Sequence, residues 1–193
     1  IKIAYLDNGS NYISANFVNV RNYQPSLLND LESINNQLIN LRLSNQPVND
    51  DAIKKITNFK NLTRLNLENT DISDAALEHL KTLPSLEQLN LYGTKITDSG
   101  LQTLAKYPNL KVVYLWQTKV SKSGIEQLKK ASPKLQIETG EFQFEYEVDG
   151  VKKISNFVRN DTLEVGTFEG KEYKSTVRWV NDCEYILQRI YFG

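Results

Sequence analysis

The side chains able to do covalent or metal chemistry are few, and their spacing does not assemble them. One histidine, His79, and one cysteine, Cys183, stand 104 positions apart. A Ser-His-Asp or Cys-His arrangement would need His79 as its base. His79 instead shares a polar column with Lys55, Thr103 and Gln127 at intervals of 24 residues, which reads as a solvent-facing surface. Cys183 follows a turn signal between Asp182 and Glu184. Those neighbours disfavour a thiolate, so it reads as an ordinary strand residue. Asp50, Asp74 and Asp98 also recur every 24 residues. That is the spacing of helix starts, where a carboxylate favours the positive end of each helix, and not the geometry of an acid–base pair. Glu141, Glu145 and Glu147 line one face of a strand. Calcium needs several converging oxygens, so a solvated face accounts for them better than an ion site. Neither a glycine-rich phosphate loop nor zinc-ligand spacing occurs. No catalytic residue, cofactor or metal is expected.

What remains is recognition. Three columns of outward-facing residues can be read across the chain at the same interval: Asn40, Arg64, Gln88, Val112; then Arg42, Asn66, Asn90, Tyr114; then Ser44, Glu68, Tyr92, Trp116. The face is polar at its start and becomes aromatic at its end. Exposed aromatics are common interface anchors. The candidate partner-binding set is therefore Arg64, Asn66, Glu68, Gln88, Asn90, Tyr92, Tyr114 and Trp116, centred on the three aromatics. A protein partner is expected, and a glycan is the alternative because sugars also stack on aromatic platforms. A further reading stays open: the same aromatics pack beneath the C-terminal segment and serve structure alone.

The elements that must position these columns come from an internal repeat. The pattern Leu62-x-x-Leu65-x-Leu67-x-x-Thr70-x-Ile72 returns as Leu86-x-x-Leu89-x-Leu91-x-x-Thr94-x-Ile96 and as Leu110-x-x-Val113-x-Leu115-x-x-Thr118-x-Val120. Upstream, Leu38-x-x-Leu41-x-Leu43-x-x-Gln46-x-Val48 matches too, so four copies begin 24 residues apart. Self-similarity at such a period marks a solenoid. In each copy a short parallel strand buries its leucines and turns the intervening residues outward. A helix follows with apolar pairs at Ile53/Ile56, Leu77/Leu80, Leu101/Leu104 and Ile125/Leu128. Asn49, Ser73, Thr97 and Ser121 are N-cap types at the helix starts. Pro84, Pro108 and Pro133 stand where a helix must already have stopped.

Both ends depart from the period. Ala15-x-x-Val18-x-Val20 followed by Pro25-Ser-Leu-Leu-Asn-Asp-Leu31 reads as a degenerate repeat offset by 23 residues, an N-terminal cap over about residues 1–37. A fifth strand begins at Leu135-Gln-Ile137 without a repeat helix after it. Beyond Thr139-Gly140 the apolar period falls to two, with Phe142, Phe144, Tyr146 and Val148 alternating with polar residues. Turn signals at Asp149-Gly150, Asn160-Asp161, Glu169-Gly170 and Asn181-Asp182 then divide a five-strand antiparallel meander. The expected architecture is an α/β solenoid over 1–138, with strands on the concave side and helices on the convex side. A small β meander over 139–193 follows it.

Composition narrows the partner further. The 193 residues carry 23 basic and 23 acidic side chains, and this balance argues against nucleic acid or an anionic membrane surface. No apolar run is long enough to span a bilayer. The chain lacks methionine and reads as a fragment of something longer. Three glycosylation triplets, at Asn8, Asn61 and Asn160, read as accidents of an asparagine-rich chain.

The repeats resemble the 24-residue leucine-rich repeats, with Thr where many members carry Asn or Cys. Phrases such as Gly9-Ser-Asn-Tyr-Ile-Ser-Ala-Asn-Phe17, Leu67-Glu-Asn-Thr70 and Tyr114-Leu-Trp-Gln-Thr-Lys-Val120 resemble the repeat domain of bacterial envelope proteins that also carry a cytochrome-c-like haem domain. The likeness covers about residues 1–138. It implies non-catalytic protein binding, or a ligand-sensing accessory role in a larger envelope redox protein, and a periplasmic or envelope setting. The haem-binding Cys-x-x-Cys-His motif of that family is absent, so no haem chemistry transfers. Val177-Arg-Trp-Val-Asn-Asp-Cys-Glu-Tyr185 loosely resembles small all-β domains of bacterial envelope lipoproteins.

Overall fold

The computed structural model describes residues 1–6, 10–148, 150–159, 163–168, 171–179 and 185–192. The chain divides into two units, Ile1–Thr139 and Gly140–Gly193.

The first unit is a solenoid built on a seven-stranded sheet in sequential order. Its strands are β1 (Lys2–Tyr5), β2 (Ile13–Asn16), β3 (Leu38–Arg42), β4 (Arg64–Asn66), β5 (Gln88–Asn90), β6 (Val112–Tyr114) and β7 (Gln136–Glu138). From β2 onward every neighbour pair is parallel. Four helices return the chain, α1 (Asp50–Ile56), α2 (Asp74–Leu80), α3 (Asp98–Leu104) and α4 (Lys122–Ala131). Leu41, Leu65, Leu89 and Val113 align across the strands, and each is at most 2% exposed. Ile53, Ile56, Leu77 and Leu80 close the core from the helix side and are fully buried. The threonines at the repeat's polar position have a local task. Thr70 and Thr118 donate their hydroxyls to the carbonyls of Leu67 and Leu115 at 2.6 Å, and Thr94 does the same to Leu91. Each hydroxyl satisfies a carbonyl at the point where strand pairing stops.

The helix starts hold a feature that reading each helix alone does not foresee. Asn49, Ser73, Thr97 and Ser121 do cap their own helices. The aspartates that follow them also act across repeats. Asp50 accepts the Ser73 amide at 2.7 Å and the Ser73 hydroxyl at 2.6 Å. Asp74 holds Thr97 in the same two ways, at 2.9 and 2.6 Å. Asp98 holds Ser121 at 2.8 and 2.6 Å. Each carboxylate thus clasps the next repeat while standing in the first turn of its own helix, a second role beside the expected one at the helix start. The clasp needs room: a Cβ at Gly100 or Gly124 would collide with the carboxylate of Asp74 or Asp98.

The N-terminal end also differs from the 23-residue offset. Ala15 pairs with Leu41, an offset of 26, after a register shift between Ile13 and Ser14. Phe17, fully buried, therefore sits two residues after Ala15 as Leu43 does after Leu41, and Val18 and Val20 lie in the loop beyond, half-buried. The segment Pro25–Ile34 is a 3-10 helix that buries Leu28 and Leu31 against the array. Ahead of it, β1 pairs antiparallel to β2, an extra edge strand that the repeat pattern does not contain.

The second unit is a meander in the order β12-β11-β10-β9-β8. Its strands are β8 (Glu141–Val148), β9 (Val151–Arg159), β10 (Leu163–Phe168), β11 (Lys171–Trp179) and β12 (Tyr185–Phe192). Val148 pairs with Val151, and Gly150 between them has a positive φ of 76°. Between β10 and β11, the buried Glu164 accepts the Tyr173 hydroxyl at 2.7 Å. Cys183 and the turn residues Asn160-Asp161, Glu169-Gly170 and Asn181-Asp182 lie outside the described residues, as do the side chains of Glu141 and Glu145.

Candidate interaction surface

The outward columns exist in the register that the 24-residue period implies. Arg64 pairs with Gln88 and Gln88 with Val112 along one row. Asn66, Asn90 and Tyr114 align along the next. Glu68, Tyr92 and Trp116 follow directly after their strands. All eight candidate residues therefore stand on one sheet surface, because strand side chains alternate and every leucine takes the inner side. Arg64 and Tyr114 are exposed, and the other six are half-buried.

The polar half of the surface is internally knitted. Arg42 donates its Nε to the Ser44 hydroxyl at 3.1 Å, and Ser44 donates to the Asn66 side chain at 2.8 Å. Arg42 also lies 3.9 Å from Glu68. The Asn66 and Asn90 carboxamides accept from the backbone N–H of Glu68 and Tyr92 at 3.0 and 2.9 Å. These bonds fix where the third column points.

The aromatic half is held differently. The rings of Tyr92 and Trp116 lie 5.2 Å apart, tilted by 32°, within the range of favourable aromatic pairs. The Tyr92 hydroxyl donates to Gln117 Oε1 at 2.8 Å. Gln117 has a φ of 54°, in the left-handed region that Asn45, Asn69 and Gly93 occupy at the same point of earlier repeats. Tyr114, 41% exposed, stands in the neighbouring column.

Elsewhere the titratable groups have structural explanations. His79 is half-buried, not fully exposed, and sits near Asp51 on the helix side. Its column neighbour Thr103 is buried and donates to Glu78 at 2.6 Å, so that column is less uniformly solvent-facing than its polar residues imply. Hydrogen bonds from Lys81 and Thr103 hold the Glu78 carboxyl below its ordinary range. Burial pushes the Tyr107 phenol well above its ordinary value, while its hydroxyl donates to the Leu77 carbonyl at 2.8 Å. Burial likewise pushes Tyr23 up to about 12. Asn61 donates its side-chain amide to the Asn36 carbonyl at 2.8 Å. Among the described residues, no three His, Cys, Asp or Glu side chains converge as a metal site. Nor is any described helix long and apolar enough to cross a membrane.

Sequence reasoning missed one concavity. A cavity of about 660 Å³ opens between residues 18–23 and 45–47, at the loops of the N-terminal cap. It arises where the 26-residue offset lengthens the first loop, and the wrong offset conceals it.

No curated protein sequence matches the chain. Among solved structures, an internalin from Listeria monocytogenes is similar, with a TM-score of 0.45 and 20% identity over 53% of this chain. The match spans 28% of the internalin chain. Leiomodin-1 actin-binding site 2 is also similar, with a TM-score of 0.45 and 14% identity over 62% of this chain and 80% of that one. Neither description mentions a haem-bearing envelope protein, and that part of the resemblance finds no support. Residues 60–81 and 82–105 each match the leucine-rich repeat model, so the chain carries leucine-rich repeats, folded as a solenoid and followed by a small antiparallel β unit.

Proposed function

We propose that this chain is a non-catalytic binding module that seats a protein partner on the concave sheet of its repeats. Tyr92, Tyr114 and Trp116 form the centre of the contact, and Arg64, Asn66, Glu68, Gln88 and Asn90 form its polar flank. The observation that carries the reading is the in-register alignment of these columns on a pre-organised sheet. Side chains already fixed by neighbours lose little freedom on binding.

The test is chemical crosslinking from the concave face, followed by affinity measurements on the captured protein. Trp116→Ala should weaken binding at least tenfold, about 1.4 kcal/mol, with little change in the melting temperature. Normal affinity with a lowered melting temperature would assign Trp116 to structure and remove the reading. The Tyr92–Trp116 pair also favours a second reading, glycan sensing, since tilted aromatic rings make sugar platforms. A glycan array separates the two: saturable glycan binding that Tyr92→Ala abolishes would replace the protein partner.

A further inference from the structure

A second surface lies at the opposite end of the array from the aromatics. In β1, Ile3 pairs with Ala15 and Tyr5 with Ile13. Directly opposed residues share a face, so Ile3 and Tyr5 belong to the core side of the sheet, where Ala15 and Ile13 are 0% and 5% exposed. Ile3 and Tyr5 are nonetheless 52% and 66% exposed, and Ile1 and Leu6 beside them are 46% and 43% exposed. Among the described residues, core-side apolar side chains thus stay exposed at this end of the sheet, and no strand pairs with the outer edge of β1. Leu6 donates its N–H to the Tyr12 carbonyl at 3.2 Å. Backbone direction alternates along a strand, so Lys2, Ala4 and Leu6 point their backbone groups at β2. Ile3 and Tyr5 point theirs outward, where no strand among the described residues meets them.

We propose that this edge joins a second copy of the chain through antiparallel β1–β1 pairing about a two-fold axis at Ile3. Backbone phase and face continuity both require odd-numbered residues to meet odd-numbered ones. One such register places Lys2 directly against Lys2 of the other copy, and like charges in opposition are unfavourable. The registers centred on Ile3 and on Ala4 both avoid this, and only the first also brings the exposed Ile1 into the apolar row. That register sets Ile3 against Ile3, Ile1 against Tyr5 and Lys2 against Ala4, which opposes aromatic and β-branched residues on the core side and separates the lysines. An edge strand with alternating exposed apolar residues, no proline and one charge is a pairing surface that monomeric sheets ordinarily blunt. Closed two-fold pairing uses it up.

Sedimentation equilibrium of the whole chain tests the pairing. A concentration-dependent dimer is expected, with half-saturation in roughly the micromolar range that small interfaces reach. Ile3→Pro should abolish it while leaving the fold intact. The lost N–H points away from β2, which is where edge strands tolerate proline, and an unchanged circular-dichroism melt checks this. Ala4→Glu places a carboxylate opposite Lys2 of the other copy at two symmetric positions and should tighten the dimer roughly two- to tenfold. A monomer at all concentrations overturns the proposal, as does a dimer that survives Ile3→Pro. Weakening by Ala4→Glu overturns the register.

Discussion

Asn45, Asn69, Gly93 and Gln117 adopt φ values of 59°, 51°, 65° and 54° at the same point of successive repeats. The chain must turn sharply there to leave the concave sheet, and the left-handed region supplies the turn. Glycine enters that region freely and asparagine tolerates it. At Gly93 a second constraint applies, because a Cβ would run into the Asn69 carboxamide. That carboxamide is fixed in turn, since its Nδ2 donates to Asn45 Oδ1 at 3.0 Å. Gly93→Ala should therefore lower the unfolding free energy by about 1–3 kcal/mol, the cost of a side chain held in a sparse backbone region. Urea denaturation measures it, and an unchanged midpoint would mean that Asn69 swings aside without loss.

At the scale of the element, the link between repeats is the Asp-to-Ser/Thr clasp. Hydrogen bonds from the Ser121 hydroxyl and backbone N–H hold the Asp98 carboxyl below its ordinary range. A carboxyl with a lowered folded value contributes stability that is complete above its unfolded value near 4. That contribution is lost as pH falls through the folded value. Asp98→Asn should thus lower the urea midpoint at about pH 7, and the gap from the parent chain should close as pH falls below about 4 and through the folded value. A gap independent of pH would detach the effect from the carboxylate's charge. The clasp also marks how far the sequence could be read. The period exposed the caps because Asn49, Ser73, Thr97 and Ser121 are cap types in themselves. It concealed the partners of Asp50, Asp74 and Asp98, because a bond to a residue 23 positions on is invisible to reasoning about one helix. The cap offset was misjudged for a similar reason: Phe17 fills the place of a leucine while a register shift absorbs the extra residues. The outward columns were legible because parallel strands of equal period stack in register. How far Trp116 sinks into that surface was not, since it depends on its contact with Tyr92.

Over the whole molecule, each repeat of the solenoid touches chiefly its neighbours, so stability is close to a sum of units and interfaces. Leu89, fully buried in β5, lies between Leu65 and Val113. Leu89→Ala should cost about 2–5 kcal/mol. Hydrogen exchange should then quicken first in β4, β5 and β6, with the terminal strands following only on global opening. Uniform acceleration would show that the array unfolds as one block. The salt bridges that bind successive repeats, Lys95–Asp71 at 2.8 Å and Lys111–Glu87 at 2.7 Å, lie at the surface and should contribute little.

The clasp has one more consequence, which concerns how such a chain can grow. Every 24-residue unit carries an aspartate at its start and a hydroxyl residue at its end, so it behaves as a coupling with one plug and one socket. Duplicating residues 74–97 in place would bring both halves along. The copied Asp74 finds the copied Thr97, and the duplicate ends where Asp98 can still reach Ser121. Position 122, where the next plug would fall, is a lysine. Length can therefore change by whole units within the array, while the run of clasps itself stops at Ser121.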